Sequence, residues 1–168
     1  FTHALIQETL SGELSTTRKV RLHARVADAL EELYSADAES HAAELAHHYA
    51  EAEGVLGNDK LVRYSLLAGE RAMGIYAYEE ALAHFQRGLA TKEGDAHHSA
   101  NSMDADTAAL LHGLGRTQLI MLQVDEGWAN LTRAFDYYAE VGDIPHVVEI
   151  AEHPVSITAP ANIAPLLT

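Results

Sequence analysis

Histidines are the residues in this sequence with the most potential for chemistry. Eleven are present, and His41, Glu44 and His48 recur at three- and four-residue steps. That spacing places the three side chains on one face of a helix, a geometry that can bind zinc. Zinc needs three or four convergent ligands, and no further histidine from a nearby helix can be assigned to this set. We therefore expect no functional metal, and keep these three residues as the metal candidates.

Other catalytic patterns do not occur. The chain has no cysteine, and it contains neither a G-x-S-x-G elbow nor an H-E-x-x-H pair. Residues 54–60 contain two glycines and a lysine, but they lack the G-x-x-x-x-G-K-[ST] spacing and follow a predicted helix instead of a strand. The acidic pairs at 31–32 and 79–80 are typical of solvated helix faces. We predict no catalytic residue and no cofactor in this chain.

The charge of the chain narrows the classes of partner. A formal net charge of −14 at pH 7 disfavours direct binding of nucleic acid. One local basic group, formed by Arg18, Lys19, Arg21 and Arg25, is interpreted as a docking surface for another domain or as solvated arginines. No apolar run approaches the roughly 20 residues needed to cross a bilayer, and no secretory signal is visible. A cytoplasmic location is therefore expected, with no membrane partner.

Residues 61–90 are the stretch around which the rest is organised, and they predict two amphipathic helices joined by a tight turn. Small residues occupy the positions where these helices would cross: Ala68, Gly69, Ala72, Ala81 and Gly88. Two earlier helices are predicted over 17–34 and 39–53, with a break at 35–37. A hairpin of this kind cannot bury its apolar face alone and needs neighbours.

The hairpin pattern occurs a second time. Residues 105–123 and 125–140 repeat it at a constant offset, and residues 144–152 look like the first helix of a third unit. The sequence therefore predicts an all-α fold in which antiparallel helix pairs stack as a short right-handed superhelix.

The repeated residues resemble the tetratricopeptide pattern W-x2-L-G-x2-Y…A-x3-F. The first copy reads Ser65-x2-Ala68-Gly69-x2-Ala72…Ala81-x3-Phe85, and the second reads Leu111-x2-Leu114-Gly115-x2-Gln118…Gly127-x3-Leu131. Glycine is kept in both copies, whereas the Trp and Tyr positions differ in both and no proline closes either unit. The resemblance implies TPR-like repeats over 59–92 and 105–141, with a partial unit over 143–168.

A second resemblance covers roughly residues 1–90. The phrases FTHALIQETL, RLHARVADAL and AELAHHY are similar, in order and spacing, to the segment after the winged helix in bacterial signalling ATPases of the NACHT/maltose-activator type. That family includes LuxR-type regulators and ATPase-linked adenylyl cyclases. The resemblance implies that residues 1–58 are N-terminal helices following an upstream winged-helix and ATPase region, and that the repeats form a sensor arm.

The expected function is a non-catalytic protein-interaction or sensor arm of a multidomain signalling ATPase or transcription regulator. Its partners would be a protein, a peptide or upstream domains of the same chain, and the open end of the superhelix could support self-association. The side chains expected to line the groove are Arg63, Glu70, Arg71, His112, Arg116 and Leu119. Two alternatives stay open: a stand-alone repeat scaffold that binds a peptide or partner protein, and a helical metal-binding enzyme domain.

Overall fold

The computed structural model describes residues 15–53, 55–94 and 103–152, and within these ranges the chain is all-α. The helices are α1 (Thr16–Tyr34), a 3-10 helix (Ser35–His41), α2 (Ala42–Glu51), α3 (Asn58–Gly74), α4 (Tyr78–Gly94), α5 (Ala105–Ile120), α6 (Val124–Val141) and α7 (Ile144–Ala151). No helix in the described ranges is long and apolar enough to cross a membrane. Predictions for residues 1–14, 95–102 and 153–168 lie outside the described residues.

The helix predicted over 39–53 begins differently in the structure. Ser35 leaves α1 with φ 43°, and the chain continues as the 3-10 helix up to His41 before α2 begins at Ala42. The tighter winding brings Ala38 into contact with the core that α1, α2 and α3 share. The predicted break at 35–37 is therefore the start of a 3-10 helix, and this helix contributes the Ala38 side chain to the core.

Two helical hairpins, α3–α4 and α5–α6, have the same turn. Tyr76 and Leu122 occupy equivalent positions and adopt φ of 63° and 62°. In each turn the next amide closes the end of the first helix, from Ala77 N to Ala72 O (2.9 Å) and from Gln123 N to Gln118 O (2.8 Å). The repeat predicted from residue types is thus also a repeat of backbone conformation.

Small residues allow the paired helices to approach closely, as the sequence predicted. A Cβ on Gly69 would lie 2.5 Å from the Phe85 ring, whereas one on Gly88 would lie 2.7 Å from Leu110 of α5 and 3.4 Å, an ordinary contact distance, from Ser65 of α3. Along α3, Ser65 comes before Gly69, and their partners Gly88 and Phe85 come in the reverse order along α4, so the two helices are antiparallel. In the second hairpin, a Cβ on Gly115 would lie 2.9 Å from the carbonyl oxygen of Gly127.

The Phe85 side chain joins the two hairpins. It projects from α4, is fully buried, and lies so close to Gly69 of α3 and Gly113 of α5 that a methyl group on either glycine would overlap the ring. The core continues on both sides of this contact. One cluster joins α1, α2 and α3, a second joins α3, α4 and α5, and a third joins α5, α6 and α7.

Candidate functional site

A row of charged side chains crosses the first helices of the successive units, α3, α5 and α7. The Arg116 guanidinium of α5 donates through Nη2 to Glu70 of α3, and its Nη1 lies 3.4 Å from Oε1 of Glu149 in α7. One arginine therefore bridges carboxylates of two neighbouring helices. Arg116 itself is about four-fifths buried, whereas Glu149 is 50% exposed.

Two histidines lie beside this arginine. His112 is one turn before Arg116 on α5, and its Nε2 lies 3.8 Å from Oε1 of Glu149. His112, His146 and Glu149 each offer one ligand-type atom, and these three atoms lie within 4.8 Å of one another. We call His112, Arg116, His146 and Glu149 the histidine cluster.

The His146 ring is held from two sides. Its Nδ1 lies 2.8 Å from Oδ2 of Asp143, and the Tyr138 ring stacks on it with centroids 4.4 Å apart. Asp143 also caps α7, because its Oδ1 accepts from the His146 backbone N–H. Burial, followed by the carboxylates of Asp143 and Glu149, raises the pKa of Tyr138 to about 12. Tyr138 therefore stays neutral beside the imidazole at physiological pH.

The predicted groove residues do not all come together. The structure gathers Glu70, His112 and Arg116. Arg63 instead lies over the Tyr64 ring, 5.5 Å from its centroid, and Arg71 is exposed in the last turn of α3. Leu119 packs against Gly127 between α5 and α6, so its side chain contributes to the core of the second hairpin.

Sequence reasoning missed His146, Glu149 and Asp143. A local signal was available, because the spacings Asp143-x-x-His146 and His146-x-x-Glu149 place neighbours on one helical turn. Their approach to His112 on α5 depends on tertiary packing and has no sequence signal.

A second polar cluster lies at the other end of the described chain. The Glu31 carboxylate accepts from Tyr49 Oη (2.9 Å), Tyr64 Oη (2.6 Å) and Lys60 Nζ (2.6 Å). Burial opposes ionisation of this carboxyl, but the Lys60 ammonium and the two hydroxyls outweigh it and lower the Glu31 pKa to about 2. We call Glu31, Tyr49, Lys60 and Tyr64 the glutamate cluster.

The glutamate cluster corrects one sequence interpretation. Glu32 is exposed as expected, but Glu31 is only 25% exposed and joins α1 to α2 and α3. The two acids of this pair point to different sides of α1, since neighbours on a helix are about 100° apart.

The metal candidates chosen from the sequence do not converge. His41 stacks on Tyr34 at 3.6 Å and lies 3.9 Å from Glu44. His48 pairs with His23 of α1 instead, Nδ1 to Nδ1 at 3.0 Å. Burial, and then the neighbouring imidazoles of His23 and His47, lower the His48 pKa. Within the described ranges, the ligand-type atoms that approach one another within 4.8 Å are those of His112, His146 and Glu149.

Of the basic group near the start of α1, Lys19 forms an ion pair with Glu51 of α2 at 3.3 Å. Arg18, Arg21 and Arg25 are exposed.

The chain was compared with known protein families, curated proteins and solved structures, and none of them matches.

Proposed function

We propose that this chain is a non-catalytic, TPR-like interaction arm that binds a protein or peptide along the face formed by α3, α5 and α7. The observation that supports this most directly is the repeated hairpin, with the same turn in both copies and glycines at both helix crossings. Repeats of this kind stack with their first helices side by side, and those helices line a concave surface.

The chemistry of that surface suits a charged partner segment. Glu70 and Glu149 flank Arg116, and both acids are about half exposed. A peptide carrying a basic side chain could pair with either acid, while the Arg116 guanidinium could donate to a carboxylate side chain or to a C-terminal carboxylate. The net charge of −14 makes a basic partner segment the better match.

We further propose that the arm belongs to a multidomain bacterial signalling ATPase or transcription regulator in the cytoplasm. The N-terminal phrases that resemble the NACHT/maltose-activator type support this. A stand-alone repeat scaffold is the alternative, and the sequence that precedes Phe1 in the gene discriminates between them. A Walker motif followed by a winged helix supports the arm, whereas a start codon directly before this segment favours the scaffold.

The binding face is tested by charge reversal on opposite helices. Glu70→Arg reverses a charge on the proposed face, and Asp136→Arg, the same change at an exposed position on α6, serves as the control. Both are introduced into the full-length protein, and partners are identified by quantitative mass spectrometry after affinity purification from the native host. We expect Glu70→Arg to deplete a specific basic partner at least tenfold while Asp136→Arg retains it. Loss with Asp136→Arg alone would move the binding surface to the second helices.

A further inference from the structure

We propose that His112, His146 and Glu149 form a binding site for a divalent transition-metal ion of the zinc type. Their ligand atoms lie within 4.8 Å of one another, and His112 Nε2 is already 3.8 Å from Glu149 Oε1. In a tetrahedral zinc site, bonds of about 2.0–2.1 Å place neighbouring ligand atoms about 3.4 Å apart. Side-chain shifts of about 1 Å would close the site. Glu149, at 50% exposed, has room to make such a shift.

The surroundings of His146 prepare one of its nitrogens for an ion. When the Nδ1–H donates to the Asp143 carboxylate, the lone pair on Nε2 is left available. This carboxylate–histidine arrangement fixes the tautomer and raises the basicity of a metal ligand. The stacked Tyr138 ring restricts rotation of the imidazole. Asp143 is itself fixed at the start of α7, so the orientation is built into the fold.

The donor set indicates the class of ion. Two imidazoles and one carboxylate suit Zn²⁺, Co²⁺ or Ni²⁺ better than Mg²⁺ or Ca²⁺, which prefer oxygen ligands. Three protein ligands with an exposed side leave a fourth position for water or for a group of a bound partner. The ion would also connect α5 to α7 directly.

The positive charge of Arg116 disfavours a cation at this site. The proposal therefore predicts the direction in which replacing Arg116 changes the affinity for the metal. Its guanidinium lies 3.4 Å from the Glu149 oxygen and competes with a cation for the same carboxylate. Arg116 retains Glu70 as a partner when Glu149 turns away. Replacing Arg116 with a neutral side chain should therefore strengthen metal binding, whereas a purely structural cluster would show no such gain.

The test uses the full chain freed of metal with EDTA. Zn²⁺ is titrated by calorimetry, and Co²⁺ is followed by its visible absorption, which reports coordination geometry. We expect one ion per chain at this site. His146→Ala and Glu149→Gln should weaken it at least tenfold, Asp143→Asn by about 10- to 100-fold, and Arg116→Gln should tighten it. His41→Ala is the control, because it removes a half-exposed histidine that does not belong to the cluster.

Folding is monitored separately by circular dichroism and thermal unfolding. Zn²⁺ at a hundred times the wild-type dissociation constant should favour the folded state of the wild type by about 100-fold and that of His146→Ala by about tenfold or less. Equal affinity in the wild type and in His146→Ala or Glu149→Gln would overturn the proposal, as would equal losses with His41→Ala. Weaker binding in Arg116→Gln would contradict the competition for Glu149.

Discussion

The glutamate cluster and the histidine cluster both join helices through charged side chains, yet they differ in how closely neighbouring groups contact their glutamate carboxylates. In the first, one carboxylate accepts three hydrogen bonds from Tyr49, Lys60 and Tyr64. In the second, Glu149 is half exposed, at 3.4–3.8 Å from its neighbours. A satisfied cluster stabilises the contact between helices. An open cluster of convergent ligand atoms contributes little stability and is available to bind.

The largest expected effect tests whether apolar packing, and not the ion pair between Glu70 and Arg116, holds α3 against α5. Phe85→Ala removes a fully buried ring between the two hairpins and should lower the free energy of unfolding by about 3–5 kcal/mol. Leu33→Ala, at a side chain 74% exposed, should change it by less than about 0.5 kcal/mol. Urea unfolding followed by circular dichroism measures both. If Phe85→Ala lowered the free energy of unfolding by less than about 1 kcal/mol, charged side chains and not apolar packing would hold the two helices together.

The next effect concerns the glutamate cluster itself. Glu31→Gln removes the charge that Lys60 and the two tyrosine hydroxyls bind, and should cost about 2 kcal/mol. Glu32→Gln, on the exposed neighbour, is the matched control and should be nearly neutral. Equal losses from the two substitutions in urea unfolding would show that the three hydrogen bonds add nothing.

The same carboxylate predicts a pH dependence with a defined sign. Because the Glu31 pKa is about 2 in the folded chain and 4.5 when unperturbed, its contribution is complete above about pH 4.5 and is lost as the pH falls towards 2. The stability difference between the wild type and Glu31→Gln should therefore shrink steadily between about pH 5 and pH 3. Urea titrations at several pH values measure it, and a difference independent of pH would contradict the assignment.

The smallest expected effect is at Glu70, which pairs with Arg116 of the histidine cluster. Glu70→Gln breaks an ion pair whose carboxylate side chain is 45% exposed, and should cost less than about 0.5 kcal/mol at moderate salt. The substitution is chemically identical to Glu31→Gln. The two variants therefore compare a half-exposed ion pair with the glutamate cluster directly. Losses of similar size would erase the distinction between them.

The helical spacing of apolar residues was sufficient to predict the helices. It did not predict the glutamate cluster or the histidine cluster. The crossing at Gly69 could be predicted because small residues at helical spacing allow two helices to approach closely, whereas the tight contact of Gly88 is with Leu110 of α5 and was not predicted. The 3-10 connection before α2 could not, since its winding depends on the burial of Ala38 against other helices. His112 was assigned to a groove, but its neighbours His146 and Glu149 lie more than 30 residues further along the chain, and only the folded arrangement places them beside it.

The position of Phe85 also has a consequence for how the chain unfolds. In repeat proteins the free energy divides into a term for each unit and a term for each interface, and weak interfaces let units melt one after another. Here a ring of the first hairpin is covered in part by Gly113 of the second, so releasing α5 would expose the centre of its neighbour. The two hairpins should therefore lose their amide protection against hydrogen exchange together, as one cooperative unit.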